Sequence, residues 1–94
     1  MLHSIKTISV TNQRETCLAW DKSTGEHLTN AIVWHDTRTT KIAEEIIAKH
    51  NGDKECFREI CGLPVNPYFS ALKMKWIIEN DEYINKKIGN DYYN

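Results

Sequence analysis

The sequence predicts an α/β fold in which a β-meander is followed by helices, and three observations lead to this prediction. The first third of the 94 residues contains short apolar, β-branched runs separated by turn residues. Beyond about residue 37, apolar residues recur at helical spacing. The composition, 40% hydrophobic and 27% charged, is that of a globular protein, which excludes a disordered or low-complexity chain.

Three strands are predicted in the meander. Residues 5–10 alternate weakly between apolar and polar side chains, and residues 16–20 resume an apolar pattern after a polar loop. A turn around Gly25 leads to residues 30–35, whose apolar run suits a buried strand. A three-stranded sheet would leave its edges exposed, and such edges normally pair with another element. The pattern therefore indicates a fragment of a larger sheet.

Two helices are predicted next. Asp36 or Thr37 can cap the first helix, which ends at Asn51 and Gly52. The second covers about residues 53–61. Its inward side chains are predicted to be Phe57, Ile60 and Cys61.

Two further helices complete the predicted fold, with helices spanning about residues 37–88 in all. Ser70 can cap the third, and a weaker fourth helix covers residues 82–88 before Gly89. The apolar face of the third helix is predicted to contain Leu72, Trp76 and Ile77. Pattern alone thus predicts a soluble α/β fragment.

Charge and composition exclude several classes of function. Twelve basic and 13 acidic residues give a formal net charge of −1 without a basic run, so neither nucleic acid nor an anionic membrane is an expected partner. No apolar run is long enough for a signal peptide or membrane span. Three cysteines without a C-x-x-C motif indicate reduced thiols in a cytoplasmic protein. Four histidines lack ligand spacing, so no metal site is predicted.

The densest polar cluster, residues 11–16, lies between two predicted strands. An Arg14 guanidinium can donate to the hydroxyl oxygens of a polyol, and a Glu15 carboxylate can accept from its hydroxyl hydrogens. The alternative is a connecting loop with two solvated charges. No phosphate-binding glycine motif and no nucleophile elbow occurs in the chain.

Two aromatic residues are further candidates. Trp34 ends an apolar strand, where it is either a core residue or a flat wall for the carbon chain of a ligand. Tyr68 follows Pro67, where it either anchors the loop by packing or donates a hydroxyl hydrogen bond to a ligand.

Three segments, residues 8–16, 20–39 and 62–76, together resemble glycerol kinases of the FGGY family of carbohydrate kinases. The most specific strings are Asn-Gln-Arg-Glu-Thr at residues 12–16 and Asn-Ala-Ile-Val-Trp at residues 30–34. The resemblance covers about residues 5–80 in matching order and spacing. One departure is Ser-Ala-Leu-Lys at residues 70–73, where many bacterial members have Ser-Gly-Thr-Lys.

The resemblance implies an enzyme that transfers the γ-phosphoryl group of MgATP to glycerol, forming glycerol 3-phosphate. By the same resemblance Arg14, Glu15, Trp34 and Tyr68 would bind glycerol. The family fold is a pair of actin-like, ribonuclease-H-like domains that close on a cleft. Residues 1–94 would then form part of the N-terminal domain.

Family members also use an Asp-x-Gly-Thr turn, a distant catalytic Asp and a second domain, and none of these matches this sequence. We therefore expect a fragment without a catalytic residue or metal ligand of its own. ATP and Mg2+ would serve only the full-length cytoplasmic enzyme, whose oligomeric state stays open. The expected partners are glycerol and the rest of the kinase polypeptide. The alternatives are a non-catalytic stand-alone binding protein and an FGGY kinase for another polyol or sugar.

Overall fold

The computed structural model describes the backbone of residues 2–92 and the side chains of residues 3–89. A 3-10 helix at Leu2–Ser4 precedes a long irregular region, and four α-helices follow. They are α1 (Thr40–Lys49), α2 (Arg58–Cys61), α3 (Ser70–Asn80) and α4 (Glu82–Tyr92).

The predicted β-meander is not confirmed, because residues 2–92 contain no continuous strand. Its second and third segments do lie antiparallel, but only two isolated bridges join them, Cys17 with Ile32 and Trp20 with His27. Two residues lie between Cys17 and Trp20, but four lie between His27 and Ile32. The two segments therefore do not keep one continuous register. Residues 16–20 and 30–35 therefore form an irregular hairpin.

The predicted strand at residues 5–10 is not formed in the described part of the chain, where these residues have no regular secondary structure and no β-bridge. Ile8 is 87% exposed and Val10 is 96% exposed. The radius of gyration is 17.6 Å, whereas about 13 Å is typical of a compact domain of this size. A strand takes its backbone hydrogen bonds from a neighbour, so a suitable sequence does not form a strand where it has no neighbour.

Helix α1 begins at Thr40, and neither Asp36 nor Thr37 is its N-cap as predicted. Asp36 instead closes a turn by accepting the Arg38 N–H at 2.8 Å. Thr39 occupies the N-cap position and is fully buried. Its hydroxyl donates to the Pro67 carbonyl at 3.3 Å, which joins the start of α1 to the loop before α3.

Helix α2 is a single turn rather than the predicted helix over residues 53–61. Gly62 ends it in the left-handed region with φ 75°, and its N–H donates to the Arg58 carbonyl at 2.8 Å. The three side chains predicted to point inward are exposed, and Ile60 reaches 84%. A one-turn helix is too short to present a buried face, which is why the inward prediction fails.

Helix α3 connects two small hydrophobic clusters. One contains Ile32, Ile77 and Ile84, the other contains Ile42, Ala43 and Leu72, and the Trp76 side chain packs against both. This places the predicted apolar residues of α3 inward, with Trp76 half-buried.

Two predicted helix ends differ from those observed. Ser70 is the first residue of α3 and not its N-cap, which is Phe69. Helix α4 continues through Gly89, because a glycine weakens a helix without necessarily ending it. None of the described helices is long and apolar enough to cross a membrane.

Candidate functional site

The polar loop predicted as a candidate site forms a tight turn. Glu15 has φ 58°, a left-handed backbone conformation that costs an L-residue about 1–2 kcal/mol. The Thr16 hydroxyl donates to the Gln13 side-chain oxygen at 2.7 Å and closes the turn. Strained non-glycine residues of this kind cluster at functional sites, so the turn is a candidate on backbone geometry alone.

Arg14 differs from the other two arginines of the sequence. Arg38 pairs with Asp36, and Arg58 pairs with Glu55. The exposed Arg14 side chain has neither an ion pair nor a hydrogen bond among the described residues. Its guanidinium donors therefore remain available to a ligand.

Glu15 is one of the residues that line an apolar cavity of about 450 Å³ between α1, α3 and the α2–α3 loop. Its Oε2 atom is buried and has no hydrogen-bond partner within the described part of the chain. A buried acceptor normally has a hydrogen-bond partner, so we expect this oxygen to accept from a donor outside the described residues. Phe69, Leu72 and Ser70 are among the cavity's other lining residues, whereas Arg14, Trp34 and Tyr68 are not.

Trp34 and Tyr68 come together in space. Their ring centroids lie 6.3 Å apart at an interplanar angle of 67°, an edge-to-face arrangement. Trp34 is 46% exposed, so it is not enclosed in the core. The Tyr68 N–H donates to the Asn66 side chain at 2.9 Å, which fixes the backbone of the loop that carries the phenol.

The turn after Trp34 is held by a bidentate pair. The Arg38 guanidinium donates to both carboxylate oxygens of Asp36, at 2.9 and 2.8 Å, and lies 4.9 Å from the centre of the Trp76 ring. Chiefly because of these Arg38 hydrogen bonds, the pKa of Asp36 is lowered to about 2. The carboxylate stays ionised at neutral pH and keeps this turn closed.

Lys73 links the two halves of the candidate site. It is fully buried on α3, and its ammonium donates to the Glu15 carbonyl at 2.8 Å and to the Tyr68 carbonyl at 2.6 Å. Among the four predicted site residues, the structure thus joins Trp34 to Tyr68 by ring contact and Glu15 to Tyr68 through Lys73. It leaves the Arg14 side chain in solvent.

Sequence reasoning missed Lys73, although a signal was present. In the α3 sequence it stands beside Leu72 and one turn before Trp76 and Ile77, which places a lysine on the apolar face of the helix. A lysine in such a position is rarely buried unless its charge is compensated, so the pattern indicates a buried partner for Lys73.

The described residues do not form a metal site, since they include no group of three or more His, Cys, Asp or Glu side chains that could hold a metal ion.

Comparison with protein families gives a match over residues 1–92 to the N-terminal domain of the FGGY family of carbohydrate kinases. A probable glycerol kinase of Caenorhabditis elegans is 52% identical over 83 residues, covering 87% of this chain and 16% of that protein. A glycerol kinase of Leifsonia xyli is 48% identical over 85 residues, covering 90% of this chain and 16% of that protein.

A similar solved structure is the crystal structure of Plasmodium falciparum glycerol kinase with ADP. It matches with a TM-score of 0.80 and 44% identity, over 93% of this chain and 17% of that one. The chain thus spans about one sixth of the length of the relatives it matches.

Proposed function

The chain belongs to the FGGY family of carbohydrate kinases, and from that premise we propose that it supplies the glycerol-binding side of an ATP-dependent glycerol kinase. In this proposal the full-length kinase that carries the sequence converts glycerol to glycerol 3-phosphate. The four residues proposed to bind glycerol are Arg14, Glu15, Trp34 and Tyr68.

The observation that carries the proposal is the unsatisfied polar pair at the turn. Arg14 offers donors and Glu15 Oε2 offers an acceptor, and neither has a partner among the described residues, whereas the other two arginines are paired. A neutral polyol carries both donors and acceptors on its hydroxyl groups, so it can satisfy both residues. An anionic substrate would suit Arg14 and be repelled by Glu15.

The aromatic pair supports the same ligand class. Trp34 is partly exposed and can cover the C–H face of a short carbon chain, while the Tyr68 hydroxyl can add a hydrogen bond. Glu15 lines the cavity beside α3 and Arg14 does not, so the proposed pocket requires one of these side chains to reorient as glycerol binds.

ATP with Mg2+ would supply the phosphoryl group in the full-length kinase. The residues of this chain bind and orient the acceptor alcohol, and the in-line geometry of transfer depends on positioning that they do not provide. The exposed free thiol of Cys61 is compatible with a reducing compartment, and we propose the cytoplasm.

The test is a coupled ADP-release assay on the full-length kinase with glycerol, longer polyols and sugars as alternative acceptors. We expect glycerol to give the highest kcat/KM. Arg14→Ala should lower kcat/KM for glycerol by about a hundredfold, since a charge-assisted hydrogen bond is worth about 1.5–3 kcal/mol.

Arg58→Ala is the matched control, because it removes an exposed arginine that is already paired with Glu55. It should change kcat/KM by less than about twofold. A larger sugar preferred over glycerol, or equal effects of the two arginine variants, would contradict the proposed function.

A further inference from the structure

We infer that Lys73 is a positioning residue of the proposed glycerol site, fixing the Arg14–Glu15 turn against the loop that carries Tyr68. The assignment of glycerol as the ligand rests on the proposed function. That Lys73 holds the turn against this loop follows from the contacts of its ammonium alone.

The ammonium bridges two segments that are far apart in the sequence. Its acceptors are the main-chain carbonyls of Glu15, 58 positions away, and of Tyr68, five positions away. For residues 12–16, the bond from Lys73 is the only hydrogen bond to another described segment, because the bond between Thr16 and Gln13 is internal to the turn. The side chains before this turn are exposed. Lys73 therefore provides its main polar attachment.

The chemistry of a lysine suits this role. An ammonium has three donors and no acceptor, and it bonds here to two carbonyl oxygens while lying 5.8 Å from the centre of the Tyr68 ring. Burying a charge costs free energy unless partners compensate it, so a simple packing role on α3 would be served better by an apolar side chain. The buried charge indicates that holding the two carbonyls is what the residue contributes.

Both attached residues belong to the proposed glycerol site. Glu15 presents its carboxylate from the strained turn, and Tyr68 presents its ring to Trp34. A shift of about 1 Å in a substrate-positioning group can cost about a hundredfold in rate. Releasing the turn from the Tyr68 loop should therefore disturb glycerol binding, although Lys73 itself touches no substrate in this arrangement.

The experiment compares Lys73→Met with Lys75→Met in the full-length kinase. Lys75 lies on the same helix, but it is exposed and pairs with Glu79. For Lys73→Met we expect the KM for glycerol to rise at least about tenfold while the KM for ATP stays within about twofold. Hydrogen exchange should increase in residues 12–16 and 66–69. Lys75→Met should match the wild type in all of these measurements.

A merely structural role would give a different result. If Lys73→Met lowers only the yield of folded enzyme or kcat, with both KM values unchanged, the inference is overturned. Unchanged exchange in the two segments would overturn it as well.

If Lys73→Met does not fold, Lys73→Arg decides the question. Its larger head group should push the two carbonyls apart and raise the KM for glycerol but not for ATP, and an unchanged KM for glycerol would overturn the inference. A wild-type kinase that does not use glycerol at all would instead refute the proposed function, before any variant is compared.

Discussion

The irregular region up to residue 35 and the helical region from Thr40 onward follow their sequence patterns to different extents. In the helical region Leu72, Ile77 and Ile84 are buried, and α1, α3 and α4 are each ten or eleven residues long. In the first region the hairpin has only isolated bridges, and the preceding apolar segment is exposed. A helix makes its backbone hydrogen bonds within one segment, whereas a strand needs a neighbouring strand. An apolar pattern of equal clarity therefore predicts a helix more reliably than a strand.

The candidate site depends on contact between these two regions. Arg14, Glu15 and Trp34 come from the irregular one, and Tyr68 and Lys73 come from the helical one. The irregular region should therefore depend on its partners more than the helical region does.

The largest expected effect is a complete loss of activity in residues 1–94 expressed alone. We expect no glycerol-dependent ADP release and no calorimetric binding of MgATP, because nucleotide, metal and acceptor must be positioned together for transfer. The exposed Ile8 and Val10 should also promote aggregation of the isolated chain, since an unpaired apolar segment can pair with another copy. Glycerol-dependent ADP release from the purified chain, abolished by Arg14→Ala, would contradict this prediction.

The sequence was informative about the site wherever side-chain chemistry alone was enough. It identified Arg14 and Glu15 as a polar pair and Trp34 and Tyr68 as candidate aromatic contacts, and the structure finds the two rings edge to face. It could not show that Glu15 lines a cavity or that its backbone is left-handed, because neither feature is visible in the side-chain pattern. The position of Lys73 on the apolar face of α3 was a signal of burial, but the sequence could not identify its acceptors, because they are main-chain carbonyls.

The second prediction compares isoleucine-to-alanine substitutions at a buried and at an exposed position of the irregular region. Ile32→Ala removes a side chain that is 2% exposed and packed against Ile77 and Ile84, so it should cost about 2–5 kcal/mol in the free energy of unfolding. Ile8→Ala removes an exposed side chain and should change it by less than about 0.5 kcal/mol. Urea unfolding of the isolated chain at low concentration measures both.

In the full-length kinase we expect the cost of Ile8→Ala to approach that of Ile32→Ala, if a neighbouring element covers the segment there. A large cost for Ile8→Ala in the isolated chain would mean that this segment is already packed, and the contrast between the two regions would fail.

The third prediction concerns Trp34→Phe, which should raise the KM for glycerol by about three- to tenfold and leave folding intact. An aromatic contact is worth about 0.5–1.5 kcal/mol beyond its area, and phenylalanine keeps only part of the indole surface. Trp20→Phe is the matched control, since Trp20 is also exposed but bridges His27 on the hairpin. Steady-state kinetics should separate the two variants, and equal KM values would make Trp34 a structural residue.

The smallest expected effect concerns the pair that joins α4 to the turn between the two segments of the hairpin. The Asp21 carboxylate accepts hydrogen bonds from the Lys87 ammonium and from the side chain and backbone N–H of Ser23. These bonds hold the pKa of the Asp21 carboxyl well below its usual range. Asp21 in turn raises the pKa of Lys87 above its usual range. Both groups are therefore ionised together in the folded protein over a wide span of pH.

Because the folded pKa of Asp21 is depressed, the pair stabilises the fold above the ordinary aspartate pKa of about 4, and this contribution disappears as the pH falls through the lower folded value. Lys87→Met should therefore lose less α4 protection between pH 7 and pH 3 than Lys86→Met, which keeps the pair and removes a neighbouring exposed lysine. Hydrogen exchange at the Ile84 and Asn85 amides, corrected for the intrinsic pH dependence, measures this difference at low salt, where screening is weakest. Asp36 is present in both variants, so its own acid titration cancels in the comparison. Identical acid profiles for the two lysine variants would mean that the contacts of Ile84 with Ile32 and Ile77 hold α4 without help from the ion pair.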